Sequence, residues 1–497
     1  MAEKYIMVID EGTTGTRAVI VDHDSKIKAQ AYTEFTQHHP GPDRVEHDAE
    51  EIWEATQKMM KQALDEAGLE PTDIAAIGIT NQRATTTLWD RKTGKPVTPA
   101  IVWQDTRTAG FIETIRDEWA DKVYNRTGWA LAPVYSSLSL HWMMENVPDA
   151  RERAKAGELA FGTMDSWLIY KLTGGKVHAI AASNASVTGS YDLHNDEWYG
   201  EWLDFLGIPL EIFPEVYDDS GQFGVTDPDV FGAEVPVTGA IADQHAALFA
   251  QGCINPGTVK CTHGTGTFLD MNIGPELDVS ENGLNTIIAW RMNGETTYGL
   301  EGYAAVTGSA VQWLRDGAEM IESSAQSEEL ATAVEDNGGV YFVPALTGLS
   351  APYWDSFARG MIIGITRGTK REHIVRATLE GIAYSIADFL ETMREDSGVD
   401  IRSIKVDGGA ARNDFLMQFQ ADILDAEVVR PINPEATSMG AAYMAGLAVG
   451  YWDSPEEALA GQEIDRVFKP EMPEDEREAL YEDWTRAVER SMGWVQG

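Results

Sequence analysis

The feature that most constrains the fold is a glycine- and threonine-rich turn that occurs once in each half of the chain. The first turn lies between two apolar stretches, Tyr5–Ile9 and Ala18–Val21, and the second precedes Phe268–Met271. Glycines let a backbone approach a ligand closely, while backbone N–H groups and threonine hydroxyls can donate to phosphate oxygens. Two such strand–turn–strand units predict a nucleotide that is clamped between two related domains.

The first turn, Asp10–Arg17, carries every kind of group that a phosphate site needs. Glycines allow the backbone approach, hydroxyls act as donors, and a guanidinium group neutralises charge. The residues in these roles are Gly12, Gly15, Thr13, Thr14 and Arg17. Asp10, at the end of the first strand, suits a Mg²⁺ ion that keeps water and nucleotide oxygens as its other ligands. The glycine spacing is not that of a Walker A loop, and taken alone the segment is also compatible with an ordinary hairpin turn.

The second turn, His263–Thr267, is shorter, so chance produces such a sequence more easily. Between the two turns, the segment Ile241–His245 places Asp243 at the end of the first half. An aspartate at a domain junction could take the proton from a hydroxyl group that attacks a γ-phosphoryl group. A lone aspartate is more commonly a helix cap or a surface residue, so composition leaves both interpretations open.

The chain is too long, at 497 residues, for a single hydrophobic core. The strand–turn–strand pattern restarts in the second half, which predicts one domain at residues 1–250 and another at residues 251–497. Helical periodicity is present around Ala49–Ala67. A strand at Ile404–Asp407 runs into a glycine turn and then a helix over about 414–423, which places a helix N-terminus where a nucleotide can bind.

The acidic excess of the chain restricts its partners and its environment. The net charge of −42 is spread along the whole sequence, and such self-repulsion is screened by salt. We therefore expect adaptation to a high-salt cytoplasm, with an ordinary acidic cytosolic protein as the alternative. Nucleic acid is not expected as a partner, because phosphate backbones bind to basic surfaces.

Three further observations favour a cytoplasmic protein that is not inserted in a membrane. No apolar run is long enough to span a bilayer. The start of the chain has no signal-peptide h-region. The two cysteines, Cys253 and Cys261, are too few for a disulfide framework or a cysteine zinc site.

Taken in order, these motifs resemble the FGGY carbohydrate kinases, and within that family the glycerol kinases, over about residues 5–451. Besides the first turn, the stretches that carry the resemblance are Asn81–Arg83, Trp103–Arg107, Phe342–Ala345, Ala351–Trp354, Val406–Gly409 and Met417–Leu424. The resemblance implies an α/β fold with two actin-like, ribonuclease-H-like ATPase domains and a central cleft. It also implies ATP-dependent phosphorylation of a small polyol, most simply glycerol, with ATP and Mg²⁺ as cofactors. Dimers and tetramers are common in the family, so the resemblance implies a homo-oligomer.

The resemblance also implies a role for each matching residue. Asp243 would be the general base, and Asp10 would help to hold Mg²⁺. The positions that match nucleotide-binding residues are Thr13, Thr14, Gly15, Arg17, Thr265, Gly308, Gln312, Gly409 and Asn413. The positions that match the polyol pocket are Arg83, Trp103, Asp243, Gln244 and Phe268. These roles agree with the interpretation of the turns, because phosphoryl transfer depends mainly on positioning and charge neutralisation.

The chain departs from the family pattern at two positions of the expected pocket. Glycerol kinases carry a glutamate after the pocket arginine, where this chain has Ala84, and a tyrosine after a proline, where it has Val134. Tyr135 follows one residue later, but alternation along an extended segment would point it elsewhere. Loss of both contacts predicts a larger and less polar pocket, so a longer polyol or a xylulose-type ketose is the alternative substrate.

A third departure concerns regulation. The loop Gly232–Pro236 lacks the arginine with which some bacterial members of the family bind a sugar bisphosphate inhibitor. We therefore expect no feedback inhibition by that route.

A rival of another class is a non-catalytic actin-like protein that only binds nucleotide, because a fold does not by itself give a function. Asp243, Arg83 and Trp103 argue against this class, since they match a base and a polyol pocket. Substrate-dependent turnover separates the two classes.

Overall fold

The computed structural model describes residues 4–304, 306–432 and 435–495. The elements of the first half are β1 (Tyr5–Glu11), β2 (Gly15–Val21), β3 (Ile27–Glu34), β4 (His38–Gly41), β5 (Arg44–His47), α1 (Ala49–Ala67), β6 (Ile74–Asn81), β7 (Thr87–Asp90), β8 (Lys95–Pro96), β9 (Ala100–Ile101), α2 (Ala109–Thr127), α3 (Ser136–Asn146), α4 (Ala150–Lys155), β10 (Leu159–Gly162), α5 (Met164–Leu172), β11 (Ala179–Ala181), α6 (Ala182–Ser186), β12 (Tyr191–Asp192), β13 (Glu197–Trp198), α7 (Gly200–Leu206), β14 (Glu215–Tyr217), α8 (Pro228–Phe231), β15 (Val237–Ala242) and α9 (Asp243–Ala250).

The elements of the second half are β16 (Thr258–His263), β17 (Thr267–Gly274), β18 (Asn285–Met292), β19 (Glu295–Ala304), α10 (Gly308–Gln312), α11 (Gln326–Thr332), β20 (Tyr341–Val343), β21 (Met361–Ile363), α12 (Arg371–Ser397), β22 (Ser403–Gly408), α13 (Asp414–Leu424), β23 (Glu427–Ile432), α14 (Ala436–Ala448), α15 (Pro455–Leu459), β24 (Glu463–Phe468) and α16 (Glu474–Ser491).

Each half is built on a mixed sheet with the same internal order. The sheet of the first half runs β15-β6-β1-β2-β3, and that of the second half runs β18-β19-β17-β16-β22-β23-β24. In both, an antiparallel hairpin (β1–β2 or β16–β17) lies beside a parallel strand (β6 or β22). Helices pack on these sheets, so the α/β class and the two related domains predicted from the sequence are confirmed.

The two glycine turns occupy equivalent places in the two hairpins. A Cβ atom at Gly15 would lie 2.6 Å from the hydroxyl oxygen of Tyr32, and a Cβ atom at Gly266 would lie 2.7 Å from that of Tyr303. Each tyrosine belongs to the strand that pairs with the second strand of its hairpin, β3 or β19. The same Cβ atoms would lie 2.5 Å from the carbonyl oxygen of Thr33 and 2.6 Å from that of Ala304, and main-chain atoms cannot swing away, so both positions require glycine.

Local sequence sets the bounds of the helices, as α1 illustrates. The Asp48 carboxylate accepts a hydrogen bond from the backbone N–H of Glu50 at 2.9 Å, which satisfies a donor at the start of the helix. At the other end, Gly68 adopts a left-handed conformation with φ of 67°, which terminates α1. The helix predicted for residues 49–67 is confirmed, as are the strand and helix predicted around β22 and α13.

Helix α14 comes from the second half of the chain but packs on the sheet of the first half, against β6, β15 and α9. Glycines make this close approach feasible: a Cβ atom at Gly78 would overlap the main chain of Ala441, and one at Gly440 would overlap that of Ala246. Residues of both halves therefore share one hydrophobic cluster around α14. This packing fixes the position of α9, whose first residue is Asp243.

Candidate active site

The first glycine turn is held by hydrogen bonds to Ser438 of α14 and to Trp103. Asp10, near the end of β1, accepts a hydrogen bond from the Ser438 hydroxyl at 2.5 Å. Burial raises the pKa of Asp10 above its usual range, while Ser438 and the nearby Arg17 partly oppose that shift. The hydroxyl of Thr13 accepts a hydrogen bond from the indole N–H of Trp103 at 3.1 Å. A predicted phosphate residue and a predicted polyol residue therefore touch.

Arg17, the cation of the first turn, forms an ion pair with Glu435. Its guanidinium also lies 5.6 Å from the ring centroid of Tyr32. Thr14 takes part in the turn through its backbone, since its carbonyl accepts a bond from Phe35 N at 3.4 Å. The basic group expected for phosphate charge is therefore present beside the turn.

Asp243 begins helix α9 directly after strand β15. Its carboxylate accepts a hydrogen bond from the backbone N–H of Gln244 at 2.7 Å and lies 3.6 Å from Nε of Arg83. About a third of the side chain, 31%, remains accessible. The surrounding protein still raises the pKa of Asp243 above its usual range, and the positive charge of Arg83 opposes that rise. A carboxylate with a raised pKa is a stronger proton acceptor, as a general base requires.

Arg83 bridges the two halves of the protein. Its Nη1 lies 2.6 Å from Oε2 of Glu301 on β19, although the alignment is poor for a hydrogen bond, so charge attraction dominates this contact. Its guanidinium carbon also lies 5.6 Å from the ring of Trp129. Burial alone would lower the pKa of Arg83, but the carboxylates of Glu301 and Asp243 hold it above its usual value.

Gln244 is held from the second half in the same way. The Lys260 ammonium donates to Oε1 of Gln244 at 2.7 Å and to Oδ2 of Asp270 at 2.7 Å. Phe268, another predicted polyol residue, lies on the same strand as Asp270 and packs on Tyr303 with ring centroids 4.5 Å apart. The structure therefore brings Arg83, Gln244 and Asp243 into one charged cluster.

Three of the five nucleotide residues predicted in the second half line a pocket of about 440 Å³. Gly308, Gly409 and Asn413 line it, whereas Thr265 and Gln312 are not among its lining residues. The carbonyl of Thr265 nevertheless accepts bonds from the backbone N–H groups at the start of α10, and Gln312 ends that helix. A larger pocket of about 720 Å³ contains none of the predicted site residues, and its lining comes from residues 38–40, 46, 48–50 and 95–99.

At the two departures from the family pattern, Ala84 and Tyr135 are buried, whereas Val134, the residue at the aligned position, is half-buried. Ala84 is only 2% exposed and has a left-handed backbone, with φ of 59°. Tyr135 is fully buried and its hydroxyl donates to the carbonyl of Trp129, so Tyr135 cannot reach a substrate. The sequence-based expectation that Tyr135 points away from the pocket is therefore consistent with the structure.

Three charged residues of this cluster were not predicted from the sequence: Lys260, Asp270 and Glu301. Lys260 and Asp270 lie within the buried strands β16 and β17, Glu301 lies in the buried part of β19, and each is at most 5% exposed. Burial of an unpaired charge is very costly, so a charged residue within a buried strand signals a partner elsewhere in the fold. The pattern gives that signal but does not say which residue is the partner.

The two domains have the same sheet order, and their glycine turns lie in equivalent places. An aspartate is paired with an arginine in the charged cluster. Together these features define an ATP-dependent kinase that acts on a hydroxyl group. A family model for the FGGY family of carbohydrate kinases, N-terminal domain, matches residues 5–250, and the one for the C-terminal domain matches residues 259–449. The chain belongs to the FGGY family of carbohydrate kinases.

Relatives and solved structures resemble the chain over its full length. It is 51% identical over 492 residues to glycerol kinase 2 of Thermotoga maritima, with 99% of both chains covered. It is also 51% identical over 494 residues to the glycerol kinase of Caldanaerobacter subterraneus, again with 99% of both covered. A crystal structure of Plasmodium falciparum glycerol kinase with ADP superposes with a TM-score of 0.93 at 32% identity, covering 100% of this chain and 99% of the other.

Proposed function

We propose that the protein transfers the γ-phosphoryl group of ATP to a hydroxyl group of glycerol and forms sn-glycerol 3-phosphate. The observation that carries the proposal is the setting of Asp243. It lies 3.6 Å from Arg83 of the polyol cluster, and its pKa also responds to the charge of Asp10 beside the phosphate turn. Full-length similarity to proteins named glycerol kinase supports glycerol as the acceptor.

In this proposal the acceptor hydroxyl gives its proton to the Asp243 carboxylate. The acceptor oxygen bonds to the γ-phosphorus, the bond from that phosphorus to the bridging oxygen breaks, and ADP leaves. Arg83 and Gln244 bind the other hydroxyl groups, while Trp103 and Phe268 contact the carbon chain. Binding the polyol in this way supplies the orientation on which the reaction rate depends.

The nucleotide would bind across both turns. Thr13, Thr14, Gly15 and Arg17 would contact the phosphates, and the nucleoside would lie in the pocket lined by Gly308, Gly409 and Asn413, with Thr265 and Gln312 at its edge. Closure of the two halves around the nucleotide would exclude water and limit wasteful ATP hydrolysis.

A Mg²⁺ ion fits at Asp10. Burial raises the pKa of this carboxylate, so a nearby divalent cation would stabilise its charged form. Among the residues that the structure describes, no group of three or more His, Cys, Asp or Glu side chains could hold a metal ion. A single carboxylate suits an ion that nucleotide oxygens and water also bind. Mg²⁺ held there together with ATP would neutralise part of the phosphate charge.

Other properties follow from the same reasoning. We place the domain division near residue 250, where the strand–turn–strand pattern restarts. The net charge of −42 favours a cytoplasm rich in salt. In the part of the chain that the structure describes, no helix is both long and apolar enough to cross a membrane. We propose a homo-oligomer, as is common in the family, and no inhibition by a sugar bisphosphate at the loop Gly232–Pro236.

A longer polyol or a ketose is the second candidate acceptor. The observation that favours it is the small side chain of Ala84, which leaves the pocket without a carboxylate at that position. The carboxylate beside Arg83 comes from Glu301 instead. Full-length similarity to proteins named glycerol kinase nevertheless favours glycerol over a larger acceptor.

The test of the proposed function is the variant Asp243→Asn, which keeps the shape of the side chain and removes the base. We expect turnover with glycerol and Mg-ATP to fall by about two to four orders of magnitude. The matched control is Asp117→Asn on the exposed face of α2, which should leave turnover unchanged. Polyol-dependent turnover that survives in Asp243→Asn would show that another group is the base.

A further inference from the structure

Two buried carboxylates lie opposite each other in the sheet of the second half. Asp270 of β17 and Glu301 of β19 are direct cross-strand partners, and their side chains are 1% and 5% exposed. Like charges in such a pair repel, so each needs a cation of its own. Asp270 is paired with Lys260 at 2.7 Å, and Glu301 is paired with Arg83 at 2.6 Å.

Both cations act on the polyol cluster of the first half. Arg83 is itself one of the residues assigned to the polyol, and its Nε lies 3.6 Å from Asp243. Lys260 donates to Oε1 of Gln244 at 2.7 Å, which orients the amide of that side chain. Two ion-paired residues of one half, Glu301 and Lys260, therefore contact two groups of the other half that are assigned to the polyol, Arg83 and Gln244.

The strength of this arrangement comes from burial. A buried ion pair gains little over apolar packing, but removing one partner leaves an uncompensated charge at a large cost. The guanidinium of Arg83 is therefore strongly confined to the side of Glu301. Burial alone would raise the pKa of Glu301, but the attraction of Arg83 lowers it overall, so Glu301 remains a carboxylate.

We propose that Glu301, together with the Lys260–Asp270 pair, forms a positioning platform that sets the affinity of this protein for its polyol. These three residues act through Arg83 and Gln244 and do not touch the acceptor. The platform takes the place of a carboxylate beside the pocket arginine, since position 84 is alanine. The inference rests on the proposed function, because it concerns the residues that bind the acceptor.

The platform also explains why the acceptor pocket depends on both halves of the protein. Strand β16, which carries Lys260, runs directly into the second phosphate turn, and β19, which carries Glu301, precedes α10 at the nucleotide pocket. In this proposal Arg83 and Gln244 take up their binding positions only when the two halves of the protein are correctly placed against each other. A polyol that binds them meets a pocket that is already aligned with the nucleotide.

The experiment is the variant Glu301→Gln, assayed with glycerol and Mg-ATP. The variant removes the charge attraction that holds Arg83, and losing a favourable interaction with a charged group costs roughly one order of magnitude in binding, so we expect the KM for glycerol to rise about tenfold. The KM for ATP should stay within about twofold, because binding of the acceptor alone is affected. The matched control is Glu295→Gln, an exposed position at the other end of the same strand.

A double variant, Lys260→Met with Asp270→Leu, tests the second arm of the platform. It removes both members of a buried ion pair and leaves no unpaired charge, so it should fold even if Glu301→Gln does not. We expect a higher KM for glycerol here too, because Gln244 loses its donor, with the KM for ATP little changed. Thermal unfolding of all variants separates altered binding from altered stability.

The outcomes distinguish the inference from the proposed function. A glycerol KM within about twofold of the wild type in a folded Glu301→Gln or double variant would overturn the platform while leaving the kinase intact. Equal changes in the KM for glycerol and for ATP would also overturn it, since they indicate general distortion. A wild-type protein without polyol-dependent turnover would refute the proposed function, and the inference with it.

Discussion

Replacing Gly239 by alanine tests how the packing between the two halves supports the site. Gly239 lies in β15, the strand that ends one residue before Asp243. A Cβ atom at this position would lie 2.5 Å from the backbone N and 2.9 Å from the Cα of Ala445 in α14. The neighbouring atoms are main-chain atoms, which cannot swing away as the end of a flexible side chain could.

The size of the effect follows from these distances. Ordinary van der Waals contact begins near 3.4 Å, so β15 and α14 must separate by roughly 1 Å. Overpacking of this kind costs about 1–3 kcal/mol of the free energy of unfolding. Because β15 leads directly into Asp243, a displacement of that size should also lower kcat, and a misplacement of about 1 Å can cost roughly a hundredfold.

Urea unfolding followed by tryptophan fluorescence measures the stability, and ADP release measures kcat. The control is Gly110→Ala in α2, where a Cβ atom would meet no atom within 4 Å. That substitution should stabilise the protein by about 0.5–1 kcal/mol, because alanine loses less conformational freedom than glycine on folding. If Gly239→Ala is as stable and as active as the wild type, the packing of α14 does not position the base.

Three further predictions concern pH, capping and salt. Burial raises the pKa of Asp219 to about 7 despite hydrogen bonds from Ser183. Between about pH 4 and pH 7 the folded protein therefore keeps a proton on Asp219 that the unfolded chain has released. As pH rises through that window, this group lowers the free energy of unfolding by about 1.4 kcal/mol per pH unit. Asp219→Asn should flatten that slope in urea titrations across the window, and an unchanged slope would contradict the assignment. Asn413→Ala removes the side-chain cap of α13, whose oxygen accepts a hydrogen bond from the backbone N–H of Leu416 at 2.9 Å. This loss should lower the free energy of unfolding by about 0.5–2 kcal/mol and raise the KM for ATP. The control Asp48→Ala removes the cap of α1 and should lower the free energy of unfolding by a similar amount without changing the KM for ATP. An equal KM for ATP in the two cap variants would remove Asn413 from the nucleotide site. Because the net charge is −42, raising KCl from about 0.1 M to 1 M shortens the screening length from about 10 Å to 3 Å and should raise the melting temperature. A melting temperature that is independent of KCl would argue against adaptation to salt.

Local signals in the sequence were sufficient for the turns and for the bounds of some helices. Helix α1 begins where Asp48 caps its first turn and ends where Gly68 provides a left-handed conformation. Such features depend on neighbouring residues and on glycine chemistry, which a sequence displays directly. The contacts that require glycine at Gly15 and Gly266 come from other strands, β3 and β19, so the sequence shows the glycines but not their cause. Local signals marked Asp243 only as an aspartate at a domain junction, and its role as a base is what the family resemblance implies.

The contacts between the two halves could not be predicted in the same way. The pairing of Arg83 with Glu301 joins residues more than 200 positions apart, and nothing in either neighbourhood specifies the other partner. The placement of α14 on the sheet of the first half depends on small residues such as Gly440, which a periodicity analysis treats only as weakly apolar. Long-range pairs of this kind are decided by the assembled fold.

The central claim is that the protein phosphorylates glycerol at the expense of ATP. The most direct measurement is ADP release in concentrated KCl, with Mg-ATP and separate samples of glycerol, dihydroxyacetone, erythritol, xylitol, ribulose and xylulose. The account predicts rapid turnover with glycerol at low KM and slower turnover with the larger compounds, in keeping with the similarity of the whole chain to proteins named glycerol kinase. Turnover only with a longer polyol or a ketose, or ATP hydrolysis that no polyol stimulates, would contradict it.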